Sequence, residues 1–473
     1  MNTATYKKRT GVIPDVHPLL GIPHIPFLLL LSDISGLFFA WQFAHVNRLN
    51  KTIALADPLL YGCLLVVLAA FYLADTYHPN KQIGGLRAPT RILLSGLVVI
   101  CVLANIIYFA GALLGPLQST MLAKGVWLVG FGMFIPWAIA TRLLGAMWIQ
   151  SHTQQSDWLV LGMDSGRRVT AQRMTGNFAD RRLMPLTQVG ASGLRQGTKL
   201  ATLDQLEDWS DYSWSGVLMQ NILELPDRQA TQLMQLRLQG VPVYRLPDFY
   251  ETFCHKLPAD LLHDDWFVFS AGFNLLPSGI GAKFKRLTDI LSAGLLLALV
   301  SPIMLLVAIV IKLESPGPVF YSQIRTGLNC KPFRVYKFRS MRQDAEKAGA
   351  PQWASERDPR ITRVGYWLRL TRLDELPQFW NVLSGEMSLI GPRPERPAFD
   401  EQLAQEIPYY NVRYLVKPGI TGWAQVLYPY GASVEDAYEK LAYDLYYIKN
   451  HSLWLDIAIF FKTIRVVVLG KGR

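Results

Sequence analysis

Cysteine is scarce. Cys63, Cys101, Cys254 and Cys330 are scattered along 473 residues, two of them in apolar runs and none in a C-x-x-C spacing. They define neither a disulfide framework nor a zinc site. Acidic charge is also in deficit: 36 Asp and Glu face 47 Lys and Arg, a formal net charge of +11. That sign suits an anionic membrane surface or a polyanionic substrate. No nucleic-acid recognition motif accompanies the basic residues, which coexist with long apolar runs, so nucleic acid is not expected as a partner. No small-residue cleavage site follows the first apolar run, so a removable signal peptide is not expected.

Apolar residues are abundant. The chain is 51% hydrophobic with a mean hydropathy of +0.18, too apolar for an ordinary soluble enzyme. Its length predicts two or three domains. Four apolar runs, at roughly 25–45, 57–75, 92–115 and 125–147, each approach the ~20 residues that span a bilayer as a helix. Asp33 and Asn105 lie inside the first and third, where each is expected to face the bundle interior and find a partner. Lys7, Lys8, Arg9, Lys81, Arg87 and Arg91 fall on one side, and Arg48, Lys51 and Lys124 on the other. The first set therefore marks the cytoplasmic side.

From about 151 to 260 the sequence turns soluble. Trp158–Gly162, Val217–Met219 and Val241–Tyr244 read as strands, with a helix from Asp227 to Leu238, which predicts a small doubly wound sheet. The first turn carries Gly162 and Gly166 but no G-x-G-x-x-G, so dinucleotide binding is weakly supported. A fifth apolar run, 290–311, has basic residues at both ends and Ser301-Pro302 near its middle. Each half is about half a bilayer core in length. A helix that enters, bends at Pro302 and leaves on the same side fits both facts, and a kinked helix that spans the bilayer is the alternative.

The remainder carries the chemistry. Pro318–Gln323 and Phe333–Phe338 predict a hairpin turning through Gly327, Leu328 and Asn329, with Lys331, Arg334, Lys337, Arg339 and Arg342 spread along its second half and beyond. The centre is Leu373-Asp374-Glu375-Leu376-Pro377. Asp374 reads as a helix N-cap, Glu375 as first-turn, and Gly385 as the stop. Arg357, Arg360, Arg363, Arg369 and Arg372 precede the pair, and Arg393 and Arg396 follow it. Guanidinium groups around a helix start predict a phosphate site. The prolines of 391–397 stiffen the backbone that presents Arg393. The run 453–469, broken by Asp456, Lys462 and Arg465, predicts a helix lying in the membrane interface.

Lys337-Phe338-Arg339-Ser340-Met341, 358–362, 373–378, Gly391-Pro392-Arg393-Pro394 and 417–422 together resemble the bacterial sugar transferases, the monotopic polyprenol-phosphate phosphoglycosyl transferases. The resemblance covers roughly 280–473. It implies a membrane α-helical bundle (1–150), a small cytoplasmic α/β, Rossmann-like domain (151–265), and a mainly α catalytic domain (280–473) with a reentrant membrane helix at 283–312 bent at Ser301 and Pro302. The implied reaction takes UDP-hexose and undecaprenyl phosphate to undecaprenyl diphosphate-hexose and UMP, through a covalent phosphosugar intermediate and with Mg²⁺. It belongs to exopolysaccharide or O-antigen synthesis. Glucose is the expected hexose, with galactose next. By the same resemblance Asp374 is the nucleophile. Glu375 binds Mg²⁺ with it and helps deprotonate the lipid phosphate, and Arg393 contacts donor phosphate. Lys337, Arg339, Asp358 and Arg360 shape the site or bind the diphosphate. A homodimer in the bacterial inner membrane, catalytic face to the cytoplasm and in contact with membrane lipids, is the expected setting. Two other classes fit less well: a membrane scaffold with a dead transferase domain, which an intact Asp-Glu pair argues against, and a redox enzyme using the middle domain.

Overall fold

The computed structural model describes residues 25–50, 52, 58–74, 76–77, 90–101, 124–153, 158–161, 198–201, 214, 216–219, 226–273, 279–342, 358, 360–428, 431 and 433–468. They divide into two compact units, Met1–Arg245 and Leu246–Arg473.

The first unit begins with apolar helices α1 (Ile25–Leu49), α2 (Pro58–Leu73), α3 (Thr90–Cys101) and α4 (Lys124–Thr153). Segments of α1 and α4 are long and apolar enough to cross a membrane, while α2 and the described part of α3 are shorter. Their core joins Leu37, Trp41, Val67, Phe71, Ile92 and Phe134. Asp33 is fully buried in it and finds a partner, as expected of a carboxylate inside an apolar run. Arg142 Nη1 and Nη2 donate to its two oxygens. The same guanidinium lies 5.5 Å from the centre of the Phe71 ring and 5.2 Å from that of Tyr77. Asn105 lies outside the described residues.

Strands β1 (Trp158–Leu161), β2 (Thr198–Ala201), β3 (Gly216–Met219) and β4 (Val243–Arg245) form one sheet in the order β2-β1-β3-β4, every pair parallel. Parallel neighbours require crossovers, and α5 (Asp227–Leu238) supplies the one between β3 and β4. It buries Leu233 and Leu236 against Leu159, Val217 and Val241. The turn after β1 lies outside the described residues.

The second unit takes in 246–273 as well. Leu257, Leu262 and Trp266 pack on Leu403, Tyr410 and Leu441, so this stretch, expected to close the middle domain, belongs by its packing to the second unit instead. Helix α6 (Ile280–Glu314) runs 35 residues with Pro302 inside it. It is long and apolar enough to cross a membrane, and it leaves Leu295 and Leu299 each 72% exposed. Both of its halves nevertheless pack on the same body. Ala293 joins Val335, Val382 and Met387, while Val307 and Ile311 join Phe338 and Leu368.

The expected hairpin is present as β5 (Phe320–Thr326) antiparallel to β6 (Pro332–Phe338). Then come α7 (Arg363–Leu370), α8 (Gln378–Ser384), β7 (Ser388–Ile390), α9 (Pro397–Glu406), β8 (Gly419–Thr421), α10 (Val434–Lys449) and α11 (Leu453–Val468). The segment at 419–421 is a strand because it pairs in parallel with β7. A Cβ on Gly391, Gly419 or Gly422 would collide with backbone of this same junction, so glycine lets the two motifs touch. On α11, Trp454 is 81% exposed while Asp456 and Ile459 are buried, a one-sided helix as expected.

Candidate active site

Asp374 does not cap a helix. Leu373–Glu375 form a single 3₁₀ turn, and α8 starts only after Pro377, which holds the N-cap position. The turn is possible because Arg372 adopts the left-handed region at φ 59°, an uncommon conformation for a residue with a Cβ. Gly385 ends α8 at φ 92°, as its position implies. With α8 only seven residues long, charge at this site comes from side chains rather than from a helix terminus.

Asn381 fixes the turn against the hairpin. It is fully buried, its Oδ1 accepts from Tyr336 N at 3.1 Å, and its Nδ2 donates to Arg334 O at 2.6 Å. These bonds hold α8 beside β6, which brings Lys337 over the carboxylates.

Glu375 is the hub. Its Oε1 accepts from Lys337 Nζ at 2.9 Å and Arg393 Nη2 at 2.7 Å, and its Oε2 lies 3.6 Å from Arg372 Nη1. Burial opposes its charge, but Arg393, Lys337 and Arg372 outweigh burial and hold the carboxyl well below the usual range. Burial in turn pushes the Lys337 amine down, against the pull of Glu375.

Asp374 is the opposite case. It is 6% exposed, and its Oδ1 is buried without a hydrogen-bond partner. Burial first, and the charge of Glu375 second, push its pKa up, with Lys337, Arg369 and Arg372 pulling the other way. Arg369 Nη1 is likewise buried without a partner. A buried carboxylate oxygen and a buried guanidinium nitrogen, both unsatisfied, are costly unless a ligand completes them.

Of the residues singled out in the sequence, Asp374, Glu375, Lys337 and Arg393 come together. Asp358 and Arg360 pair with each other, Arg360 Nη2 donating to Asp358 Oδ2 at 2.6 Å, which with the other Arg360 bonds lowers the Asp358 pKa. Arg339 turns away, donating to the Ser315 and Pro316 carbonyls at 2.8 and 3.0 Å and clasping the end of α6. Ser301 Oγ donates to Ala298 O at 2.9 Å within α6.

Arg413 is a residue the sequence reading missed. It is buried and donates to Arg393 O at 2.9 Å, Tyr410 Oη at 2.6 Å and Asp444 Oδ2 at 3.0 Å. It therefore fixes the backbone that aims Arg393 at Glu375. Nothing local signals it, since its acidic partner lies 31 residues further on.

Buried carboxylates ringed by cations lie on a body that carries a long exposed apolar helix, an arrangement suited to an anionic ligand at a membrane surface. The chain belongs to the bacterial sugar transferase family, whose sequence pattern matches residues 280–470. It is 50% identical over 240 residues to a UDP-N-acetylgalactosamine-undecaprenyl-phosphate N-acetylgalactosaminephosphotransferase of Aeromonas hydrophila, covering 51% of this chain and 55% of the relative. It is 47% identical over 189 residues to a UDP-glucose:undecaprenyl-phosphate glucose-1-phosphate transferase of Escherichia coli K12, 40% of each chain. An exopolysaccharide production protein of Rhizobium leguminosarum is 43% identical over 194 residues, 40% of this chain and 96% of the relative. The chain thus spans about half the length of the first two relatives and nearly all of the third.

Proposed function

We propose that this chain transfers a hexose 1-phosphate from a UDP-hexose to undecaprenyl phosphate, releasing UMP, on the cytoplasmic face of a bacterial inner membrane. One observation carries the reading: Asp374 keeps a buried oxygen open beside a Glu375 whose charge gathers three cations. The relatives' names supply the substrates. They also widen the hexose beyond glucose and galactose to N-acetylgalactosamine, which the sequence reading did not consider.

In this reading an Asp374 carboxylate oxygen attacks the sugar-bearing phosphorus. The bond to the UMP oxygen breaks, UMP leaves with its electron pair, and an aspartyl phosphosugar remains. An oxygen of the lipid phosphate then attacks the same phosphorus, and the carboxylate is restored. Arg393, Lys337, Arg372 and Arg369 bind the diphosphate, without which two anions would repel. Glu375, held at low pKa, is a weak base. Its role is to organise these cations before substrate arrives.

The donor set fits Mg²⁺ in part. Among the described residues no cluster of three metal-ligating side chains exists. The buried, unpartnered Asp374 Oδ1 suits an ion that takes one or two carboxylates and completes its shell with substrate phosphates and water. Glu375 Oε1 is already committed to Lys337 and Arg393, which leaves Asp374 the better placed ligand. Bound there, Mg²⁺ would neutralise diphosphate charge.

We read α6 as reentrant, bent near Ser301-Pro302. Ala293 and Val307 lie ~21 Å apart along a straight helix, yet they pack with Val335 and Phe338, ~10 Å apart along one strand. Both ends on one body support entry and exit on one side. The first unit is read as a transmembrane bundle followed by a Rossmann-like domain, supported by the all-parallel sheet. A dead scaffold would have no use for the open oxygen. The test is a UMP-release assay across UDP-glucose, UDP-galactose and UDP-N-acetylgalactosamine with undecaprenyl phosphate. Enzyme given donor alone should also show a phosphosugar adduct on Asp374 by mass spectrometry. An adduct elsewhere removes the mechanism, and no UMP from any donor removes the function.

A further inference from the structure

Away from the carboxylate pair, two other cations converge on one glycine. A Cβ added at Gly385 would stand 3.3 Å from Arg286 Nη2 and 3.8 Å from Lys417 Nζ. With no side chain there, the space between the two charges stays open. Arg286 is fixed in place, since Nη1 donates to Val382 O at 2.6 Å and Nη2 to Leu383 O at 2.9 Å. These bonds also quiet the carbonyl end of α8, which would otherwise repel an anion. A second hydrogen on Nη2 remains. Lys417 Nζ has no hydrogen bond or ion pair with any described residue. The carboxylate that acts on it, Asp289, accepts instead from Ser388 Oγ at 2.8 Å and Leu389 N at 3.1 Å. Burial and the neighbouring Arg286 both lower the Lys417 pKa, and a bound anion would relieve the second of these.

The surroundings point to a lipid. Arg286 sits on the stretch of α6 where the apolar face begins, with Phe284 and Leu287 each 51% exposed and Leu291 63%. Lys285, next to it, is tied to Asp456 of the one-sided helix α11 at 2.7 Å. Cations at the level where an apolar surface starts meet phosphates whose acyl chains continue along that surface. None of these residues is among those around Glu375.

We propose that Arg286 and Lys417, open over Gly385, form a binding site for the phosphate of an anionic membrane lipid. The proposal rests on the reading that α6 enters the membrane.

The full-length protein in nonionic detergent is offered phosphatidylglycerol, phosphatidic acid or phosphatidylcholine, and retained lipid is counted by native mass spectrometry. The wild type should retain the anionic lipids about fivefold over phosphatidylcholine. Lys417→Gln and Lys417→Met should lose that preference, and Lys417→Arg should keep it. Preference for phosphatidic acid identifies a lipid phosphomonoester as the ligand, and preference for phosphatidylglycerol a phosphodiester. Displacement of either lipid by millimolar inorganic phosphate alone makes this a free-anion site and overturns the proposal. Leu299→Cys, at the exposed middle of α6 and with the four native cysteines replaced, is run alongside in phosphatidylcholine liposomes with a membrane-impermeant maleimide. A shielded Leu299→Cys without lipid preference, or with a preference that both neutral variants retain, overturns the lipid site and leaves the entry of α6 into the membrane standing. A fully labelled Leu299→Cys overturns both.

Discussion

Two buried aspartates, one in each unit, are built from the same ingredients and end differently. Asp33 in the helical bundle has both oxygens taken by Arg142, with aromatic rings against the guanidinium. Asp374 leaves its buried Oδ1 bare, while its neighbour Glu375 takes the cations. The closed pair leaves no carboxylate oxygen for a ligand and serves to hold α1 to α4. The open one carries an unmet cost, and such a cost persists where a substrate relieves it. The deciding feature is therefore not burial or charge, which the two share, but whether the partners have been used up.

The sharpest way to break this comparison is to remove each charge in turn. Asp374→Asn should reduce UMP release by ~10³-fold or more, as loss of a nucleophile does. It should also raise the melting temperature. A carboxyl whose folded pKa stands above its unfolded value is penalised in its charged form, so the penalty is present above the unfolded pKa and Asn removes it. An active Asp374→Asn enzyme, or one that melts lower than wild type, contradicts the reading of the open oxygen.

Asp33→Ala should behave in the other direction. It leaves Arg142 buried without a counter-charge, a loss of ~3–5 kcal/mol in stability. Replacing both with Leu should recover much of that loss, because the pair's function is structural. Denaturation in detergent measures both. A double variant as unstable as the single would mean the pair does more than pack.

Glu375→Gln sharpens the comparison from the other side. Freeing Arg393 and Lys337 should lower kcat/KM by ~10²-fold. It should also move the acid limb of the pH profile to lower pH, because burial and Glu375 are what raise the Asp374 pKa. Activity needs ionised Asp374, so it rises with pH through that pKa, and the removal of a like charge brings the rise earlier. An acid limb that stays put would detach Glu375 from the titration of Asp374.

Where the sequence was legible, a local pattern sufficed. The hairpin was readable from β-rich runs around Gly327 and Asn329, and α5 from its start at Asp227 and its helical spacing. Strand β2 was not, since Thr198-Lys199-Leu200-Ala201 offers two apolar residues and no run. The carboxylate turn was misread for a related reason. Asp-Glu before a proline looks like a helix start, and only the left-handed Arg372 moves that start past Pro377. Asp33 was placed correctly in the interior, but Arg142, 109 residues on, was not identified as its partner. The cations of Glu375 were nameable individually. That Lys337 and Arg393 share one oxygen is a tertiary fact, set by Asn381 and by the glycine junction of β7 and β8.

Arg413 offers the finest test. Its guanidinium reaches three partners at once: Arg393 O, Tyr410 Oη and Asp444 Oδ2. Lysine keeps the charge but cannot span all three, because an ammonium is a point donor on a flexible stem. Arg413→Lys should therefore loosen Arg393 and raise KM for the UDP-sugar about tenfold, with a smaller change in kcat. A purely structural role would lower active enzyme without changing KM. Asp444 adds a pH signature. Burial, with a smaller push from Glu395, lifts its pKa to about 6, although Arg413 and Lys440 pull it down. As pH falls through about 6 the carboxyl takes up a proton and its hold on Arg413 weakens, so KM should rise. The stability effect runs the opposite way: a raised folded pKa means this group's contribution is favourable at low pH and is lost as pH rises through about 6. In Asp444→Asn both trends near pH 6 should flatten together. If KM instead rises where the melting temperature falls, Asp444 acts through the overall fold and not through the aim of Arg393.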